Sequence, residues 1–115
     1  MTDARIVLTT LDSADKAQAL AHALVERRLA ACVNVVERAQ SIYRWQGAVQ
    51  EATEWLLLIK TQASVLPQLE SAVRALHSYE LPEFLVLTVD AGSAEYLRWI
   101  ADNVPVETTT LRERQ

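Results

Sequence analysis

The stretch that most constrains the fold is EWLLLIKT, residues 54–61, which is apolar at every inner position. A strand with one face in water alternates apolar and polar residues, whereas an unbroken apolar run indicates burial on both faces. The run is far too short to span a bilayer. Any fold for this chain must therefore cover both faces of this strand.

Strand and helix patterns alternate along the rest of the chain. The first helix has an apolar stripe at helical spacing, from Ala17 to Val25, and Asp12 or Ser13 can cap its start. Gln46 and Gly47 can close a tight hairpin turn. The predicted strands are 5–10, 31–37, 54–61 and 84–89, with a hairpin over 41–50, and the predicted helices are 11–30, 64–77 and 93–100.

The order of these elements predicts an α+β fold. Two βαβ units in tandem give a ferredoxin-like βαββαβ sandwich, here with an extended hairpin and a C-terminal helix. With 115 residues, 50% of them hydrophobic, the chain suits a single domain, 1–115, that buries one core. The tail from Asn103 onward is expected to be extended or loose.

The helices of such a sandwich cover only one face of the sheet. The apolar strand 54–61 then needs a second cover, most simply another copy of the chain, with Trp45 on the hairpin as part of a reaching arm. We therefore expect a homo-oligomer, which a polar substitution at Leu57 or Leu58 should dissociate or unfold. The alternative is that the C-terminal helix folds back over the open face.

The predicted strand order brings polar side chains to one end of the sheet. They are Thr10, Glu54, His77, Tyr79, Glu80 and Glu83. His77 is the best candidate metal ligand, because an imidazole near carboxylates is a common metal environment. The alternative is a histidine placed at a helix C-terminus by its charge. Pro82 holds Glu80 and Glu83 across a turn, for acid–base chemistry or as a solvated acidic loop.

Cys32 is the only cysteine, and the predicted topology puts it near Lys60 at the opposite end of the sheet. It is either a small buried hydrophobe or a thiolate assisted by Lys60. Within one subunit it cannot meet His77, so a site that includes it needs groups from a neighbouring subunit.

Composition and missing motifs exclude several classes. The net charge is −4 and the basic residues are scattered, which argues against a nucleic-acid partner. The sequence has no GxxxxGK[ST], GxGxxG, CxxC or HExxH pattern. A lone thiol and an N-terminus unlike a signal peptide predict a cytoplasmic protein with no membrane partner.

Several segments together resemble the CutA family of divalent-cation tolerance proteins. They are RLAACVNVV, SIYRWQG, IKT, HSYELPE and the closing G-x-x-x-YLRW, and the resemblance extends from IVLTT to YLRWI. It implies a ferredoxin-like fold, a compact and stable homotrimer and a cytoplasmic location in bacteria. It also implies a role in tolerance to copper and other divalent metals.

The resemblance also indicates where this chain departs from the copper-binding members. In those, a cysteine ends the first strand and a histidine pair precedes the Y-x-x-PE turn. Here Thr9 stands at the cysteine position and Leu76 replaces one histidine, which leaves His77. Threonine cannot replace a thiolate for Cu(I), so a weaker site built on His77 and carboxylates is expected.

Two functional hypotheses follow. The first is a non-enzymatic, trimeric metal-responsive protein that binds copper or zinc weakly, with His77 as ligand. The second is a trimeric sensor or scaffold like the PII proteins, which binds a small anion or metabolite in clefts between subunits. The residues expected to line such clefts are Cys32, Lys60, Tyr79, Glu80 and Glu83. An enzyme is disfavoured because one subunit assembles no nucleophile–base pair.

Overall fold

The computed structural model describes residues 2–105, so the expected extended tail lies largely outside the described residues. Its strands are β1 (Ala4–Leu11), β2 (Cys32–Trp45), β3 (Ala48–Gln62) and β4 (Leu85–Thr88). Its helices are α1 (Ala14–Glu26), α2 (Leu66–Leu76) and α3 (Ala94–Asn103), with a 3-10 turn at Ala63–Val65. None of the helices in the described residues is long and apolar enough to cross a membrane.

The fold is α+β, with a four-stranded sheet in the order β2-β3-β1-β4. Every pair of neighbouring strands is antiparallel. The predicted order is confirmed: β1 lies between β3 and β4, and β2 lies on the far side of β3. Strands β1 and β3 are therefore central, and their register sets Thr10 opposite Leu56 and Leu11 opposite Trp55.

Alternate residues of the central strands form the main core. Val7, Leu57 and Ile59 are fully buried on the face covered by α1 and α2. Leu24 of α1 and Leu69 of α2 complete this cluster from the helix side. Ser13 caps α1 by accepting a hydrogen bond from the Lys16 N–H, as predicted.

The hairpin is longer than the predicted 41–50, because β2 and β3 are paired from Cys32 and Lys60 up to Trp45 and Ala48 beside the turn. A register shift between Val36 and Ala39 interrupts the ladder, and Arg38 there has a φ of 58°. This bulge absorbs one extra residue on β2, so two predicted strand pieces join into one strand. Gln46 and Gly47 form the turn with φ values of 51° and 82°, as a tight hairpin requires.

Within the part of the chain that the structure describes, the second face of the sheet is covered only at one end. Helix α3 packs Ile100 against Ala4, and Tyr96 reaches Lys60 on this face. The alternative that the C-terminal helix folds back is thus correct in part. Large apolar side chains elsewhere on this face remain open, since Leu85 is 56% and Leu87 47% exposed.

Leu57 and Leu58 lie on opposite faces of β3, so the predicted dissociation or unfolding should have a different cause at each position. Leu57 is fully buried in the helix-covered core of the subunit. Leu58 pairs with Leu8 of β1 and Asn34 of β2 on the open face, where it is half-buried. The alternation of strand side chains makes only Leu58 a probe of what covers the second face.

Candidate functional site

A cavity of about 700 Å³ opens between the loop after α2 and the strands of the hairpin. The loop runs from His77 to Phe84 and contains Pro82, which has no N–H to donate to a strand ladder. The residues that line the cavity are Thr10, Tyr43, Trp45, Glu54, Ser78, Tyr79, Glu80, Leu81, Pro82, Glu83, Phe84 and Leu85. We call this cavity the acidic pocket, after its three glutamates.

Glu54 and Tyr79 form the polar contact at the base of the acidic pocket. The Tyr79 hydroxyl donates a hydrogen bond of 2.6 Å to Glu54 Oε2. Glu54 is only 8% exposed, although it carries a carboxylate. Burial raises the pKa of Tyr79, and the hydrogen bond to Glu54 and the charge of that carboxylate raise it further. The phenol therefore stays a hydrogen-bond donor to Glu54.

The second perturbed group of the pocket is Glu83. Burial raises the pKa of its carboxyl, and the nearby charge of Glu54 raises it further. Two carboxyl groups that share a partly dry cavity favour protonation of one of them or the arrival of a cation. Glu80, on the same loop, is exposed at the mouth.

His77 lies beneath the loop and does not line the acidic pocket. Its Nε2 donates to the Thr10 carbonyl oxygen at 2.7 Å, and its Nδ1 accepts from the Tyr79 N–H at 3.1 Å. The ring is 9% exposed, and its centroid lies 4.7 Å from that of Tyr79. Both nitrogens are engaged, so the ring is the neutral Nε2–H tautomer and ties the loop to β1.

The residues of one chain do not fit a tight copper or zinc site at His77. Neither ring nitrogen has a free lone pair, and residues 2–105 contain no group of three or more His, Cys, Asp or Glu side chains placed to hold a metal ion. Thr9, where the resemblance implies a cysteine in copper-binding members, is fully buried on the helix-covered face. Its Oγ1 finds no hydrogen-bond partner in the described residues, and Leu76 is 42% exposed.

Cys32 and Lys60 lie at the other end of the open face, as predicted. They are directly paired across β2 and β3, and Lys60 Nζ donates to the Tyr96 hydroxyl at 3.3 Å. Six residues of extended strand separate Lys60 from Glu54, about 20 Å. Within one chain the structure therefore brings Tyr79, Glu80 and Glu83 together, and leaves Cys32 and Lys60 apart from them.

Sequence reasoning missed Tyr43 and Trp45 as pocket residues. It treated this hairpin segment as an arm towards a neighbour, whereas both side chains line the acidic pocket of their own chain. Ala39 pairs with Glu54, and Tyr43 and Trp45 follow it at even spacing on the same face. The period of two was visible in the sequence, but the bulge that sets the register was not.

The comparisons with known proteins agree with this fold. The family model "CutA1 divalent ion tolerance protein" matches residues 5–103. The divalent-cation tolerance protein CutA of Thermus thermophilus is 50% identical over 98 residues, which are 85% of this chain and 95% of that protein.

Two solved structures are similar along most of the chain. The Cut A1 structure from Thermus thermophilus has a TM-score of 0.86 at 48% identity and covers 89% of this chain and 99% of its own. The CutA structure from Xylella fastidiosa has a TM-score of 0.88 at 38% identity and covers 90% of this chain and 100% of its own. The matched family model, the identity and the shared fold together show that this chain belongs to the CutA1 family of divalent ion tolerance proteins.

Proposed function

We propose that the protein acts in tolerance to divalent cations as a non-enzymatic homotrimer of ferredoxin-like subunits, with the acidic pocket as its ligand site. The observation that carries the proposal is the pocket itself, in which Glu54 is buried and the pKa of Glu83 is raised by burial and, further, by the charge of Glu54. A cation that binds between these carboxyl groups removes their mutual repulsion.

The homotrimer is supported by the open face of the sheet. Leu85 and Leu87 on this face, and Trp99 on α3, are each more than two-fifths exposed in the single chain. Large apolar side chains left exposed in this way are typical of a protein–protein contact. Native mass spectrometry of protein purified without added metal would report the number of subunits and any retained ligand together.

A divalent ion in this proposal binds weakly and through oxygen. Glu54 and Glu83 supply two carboxylates, and His77 keeps its two hydrogen bonds. Oxygen ligands suit hard cations better than copper, and zinc also prefers nitrogen and sulfur. We therefore expect copper or zinc to stabilise the protein only at concentrations well above those that saturate a thiolate or imidazole site.

Thermal unfolding with graded copper or zinc tests this site. Binding to the folded state alone stabilises it by about 2.7 kcal/mol at 100 times the dissociation constant. We expect Glu54→Gln to remove the gain and Glu51→Gln, on an exposed part of the hairpin outside the pocket, to retain it. If copper or zinc still stabilises the Glu54→Gln variant, the metal binds elsewhere and the proposed site is wrong.

The proposal contains no catalytic step. Ser78 lines the pocket, but the neighbouring His77 has both ring nitrogens engaged and does not serve as its base. The lone thiol of Cys32 fits the reducing conditions of the cytoplasm, where we place the protein. Fractionation of cells that express the tagged chain tests that location.

A second candidate function is a sensor or scaffold that binds a small metabolite, as in PII-like trimers. It is favoured by the size of the acidic pocket, because about 700 Å³ lined by aromatic and aliphatic side chains suits an organic molecule better than a bare ion. The same thermal titration, with organic ligands in place of metal, tests this function. A protein that is stabilised by metal and by none of the organic ligands would contradict it.

A further inference from the structure

We infer that the acidic pocket binds a small organic cation, namely a primary ammonium group carried on an apolar or aromatic body. The inference rests on the proposed ligand-binding role of this pocket and names the chemical class of its ligand. It is carried by three features of the described residues: a buried carboxylate, aromatic walls and a lining that contains no basic side chain.

The buried carboxylate is the anchor. Glu54 is 8% exposed and lines the pocket, and its Oε2 accepts from Tyr79. No hydrogen bond from the described residues reaches its other oxygen, Oε1. Thr9 Oγ1 is the one fully buried side-chain oxygen without a partner in the described residues, so Oε1 is accessible from the cavity and can accept a hydrogen bond from a ligand N–H.

The aromatic walls select the kind of cation. Tyr43, Trp45, Tyr79 and Phe84 all line the pocket. Aromatic faces attract cations through their quadrupoles and pack against apolar surface in the same ligand. A hydrated metal ion uses only the carboxylates, whereas an aryl-alkyl ammonium uses the carboxylates and the walls together.

The charge of the lining excludes the opposite class of ligand. Glu54, Glu80 and Glu83 line the pocket, and none of the described lining residues is a lysine, arginine or histidine. Lys60, which an anion site would need, lies about 20 Å along β3 from Glu54. An anionic metabolite in this pocket would meet three carboxyl groups and no compensating cation from its own chain.

The donor requirement separates a primary from a quaternary ammonium. Glu54 accepts hydrogen bonds and a trimethylammonium group has none to donate, so the quaternary analogue keeps the aromatic contacts and loses the bond to Oε1. We therefore expect the affinity for the pocket to fall from the primary ammonium to the quaternary ammonium and then to the neutral alcohol. The carboxylate analogue should bind most weakly.

Isothermal titration calorimetry of the full-length protein tests the inference with four probes that share a 3-phenylpropyl skeleton and differ in the terminal group. The probes are 3-phenylpropylammonium, its N-trimethyl analogue, 3-phenylpropan-1-ol and 3-phenylpropanoate. We expect saturable binding of the primary ammonium, binding of the alcohol weaker by about tenfold or more, and no saturable binding of the carboxylate. Equal affinity for the ammonium and the alcohol, tighter binding of the carboxylate, or no binding of the ammonium at millimolar concentration would overturn the inference.

Variants assign the binding to this pocket. Glu54→Gln keeps the size of the side chain and an oxygen for Tyr79 but loses the charge, so we expect it to weaken ammonium binding about tenfold or more. Glu51→Gln is the matched control on the same strand and should leave the affinity unchanged. Trp45→Ala, on the partly exposed hairpin, provides a second test if Glu54→Gln does not fold. Unchanged affinity in Trp45→Ala or in folded Glu54→Gln contradicts the inference.

The titration also separates this inference from the function on which it rests. If the ammonium does not bind but copper or zinc stabilises the protein in a Glu54-dependent manner, the organic cation is wrong and the proposed site stands. If neither metal nor ammonium depends on Glu54, both are wrong.

Discussion

The Tyr79 hydroxyl donates a 2.6 Å hydrogen bond to Glu54 Oε2, which joins the loop after α2 to the central strand β3. The two residues are 25 positions apart in the chain, and Glu54 is almost completely buried. This contact fixes the wall of the acidic pocket that the loop supplies. It also keeps a buried carboxylate from being left without any donor.

Removal of this hydroxyl should destabilise the protein. Hydrogen bonds to charged groups contribute about 1.5–3 kcal/mol, and we expect Tyr79→Phe to lower the free energy of unfolding by that amount. Denaturant unfolding measures the loss. Tyr43→Phe is the matched control, because Tyr43 lines the same pocket and its hydroxyl has no hydrogen bond within the described residues. Equal stability of the two variants would mean that the Tyr79–Glu54 bond contributes nothing.

Substitution of His77 tests whether it is structural or a metal ligand. His77→Ala removes the bonds to the Thr10 carbonyl and the Tyr79 N–H, so we expect a loss of about 1–3 kcal/mol in metal-free protein. The same loss should appear in the presence of copper or zinc. His22→Ala, at an exposed position of α1, should have little effect. A variant that keeps its metal-free stability but loses a copper-dependent gain would instead identify His77 as a ligand.

The two faces of β3 should respond differently to the same polar residue. Leu57→Gln places an amide in the subunit core, and we expect a loss of about 2–5 kcal/mol and partial unfolding. Leu58→Gln changes the open face, so it should weaken the assembly and leave the subunit folded. Sedimentation velocity and circular dichroism separate these outcomes. A Leu58→Gln protein with unchanged subunit number at low concentration would argue against an assembly through this face.

The raised pKa of Glu83 predicts a pH dependence of stability. Burial and the charge of Glu54 lift the pKa above the ordinary value of 4.5, so the folded state binds this proton more tightly than the unfolded state. The contribution of Glu83 to stability is therefore most favourable below pH 4.5 and falls as the pH rises through the folded pKa.

Glu83→Gln removes this titration. We expect the variant to gain stability relative to the parent as the pH rises from 4.5 through the folded pKa of Glu83. Below pH 4.5 the stabilities of the two proteins should differ less. Denaturant unfolding at a series of pH values measures the difference. Glu80→Gln, an exposed carboxylate on the same loop, is the control and should follow the parent curve. A constant difference at all pH values would show that Glu83 does not titrate differently in the two states.

Local patterns in the sequence were sufficient for the elements and their order. The stripe from Ala17 to Val25 predicts α1, and the turn residues Gln46 and Gly47 place the hairpin correctly. The strand order follows from the succession of elements. These features depend on residues close in the chain, and on the few ways in which two βαβ units can pair.

The candidate site was predictable only in part. That Thr10, Glu54, His77 and Tyr79 meet follows from the topology, and their hydrogen bonds agree with it. The hydrogen bonds of His77 could not be predicted, because the partners of its two nitrogens are backbone groups that carry no sequence signal. A metal role for His77, expected from its residue type, stays a prediction that the substitution above tests.

The sequence by itself determined which segments pair and that strand 54–61 has two apolar faces, since alternation and turn chemistry are local properties of the chain. Only the tertiary structure decided that Leu57 faces the helices and Leu58 the open face. The same holds for the bulge near Arg38, which directs Tyr43 and Trp45 towards the acidic pocket. It also holds for the hydrogen bonds that engage both nitrogens of His77. A strand register changes every contact when it shifts by one residue, and it is set by the packing of the whole sheet rather than by any single segment.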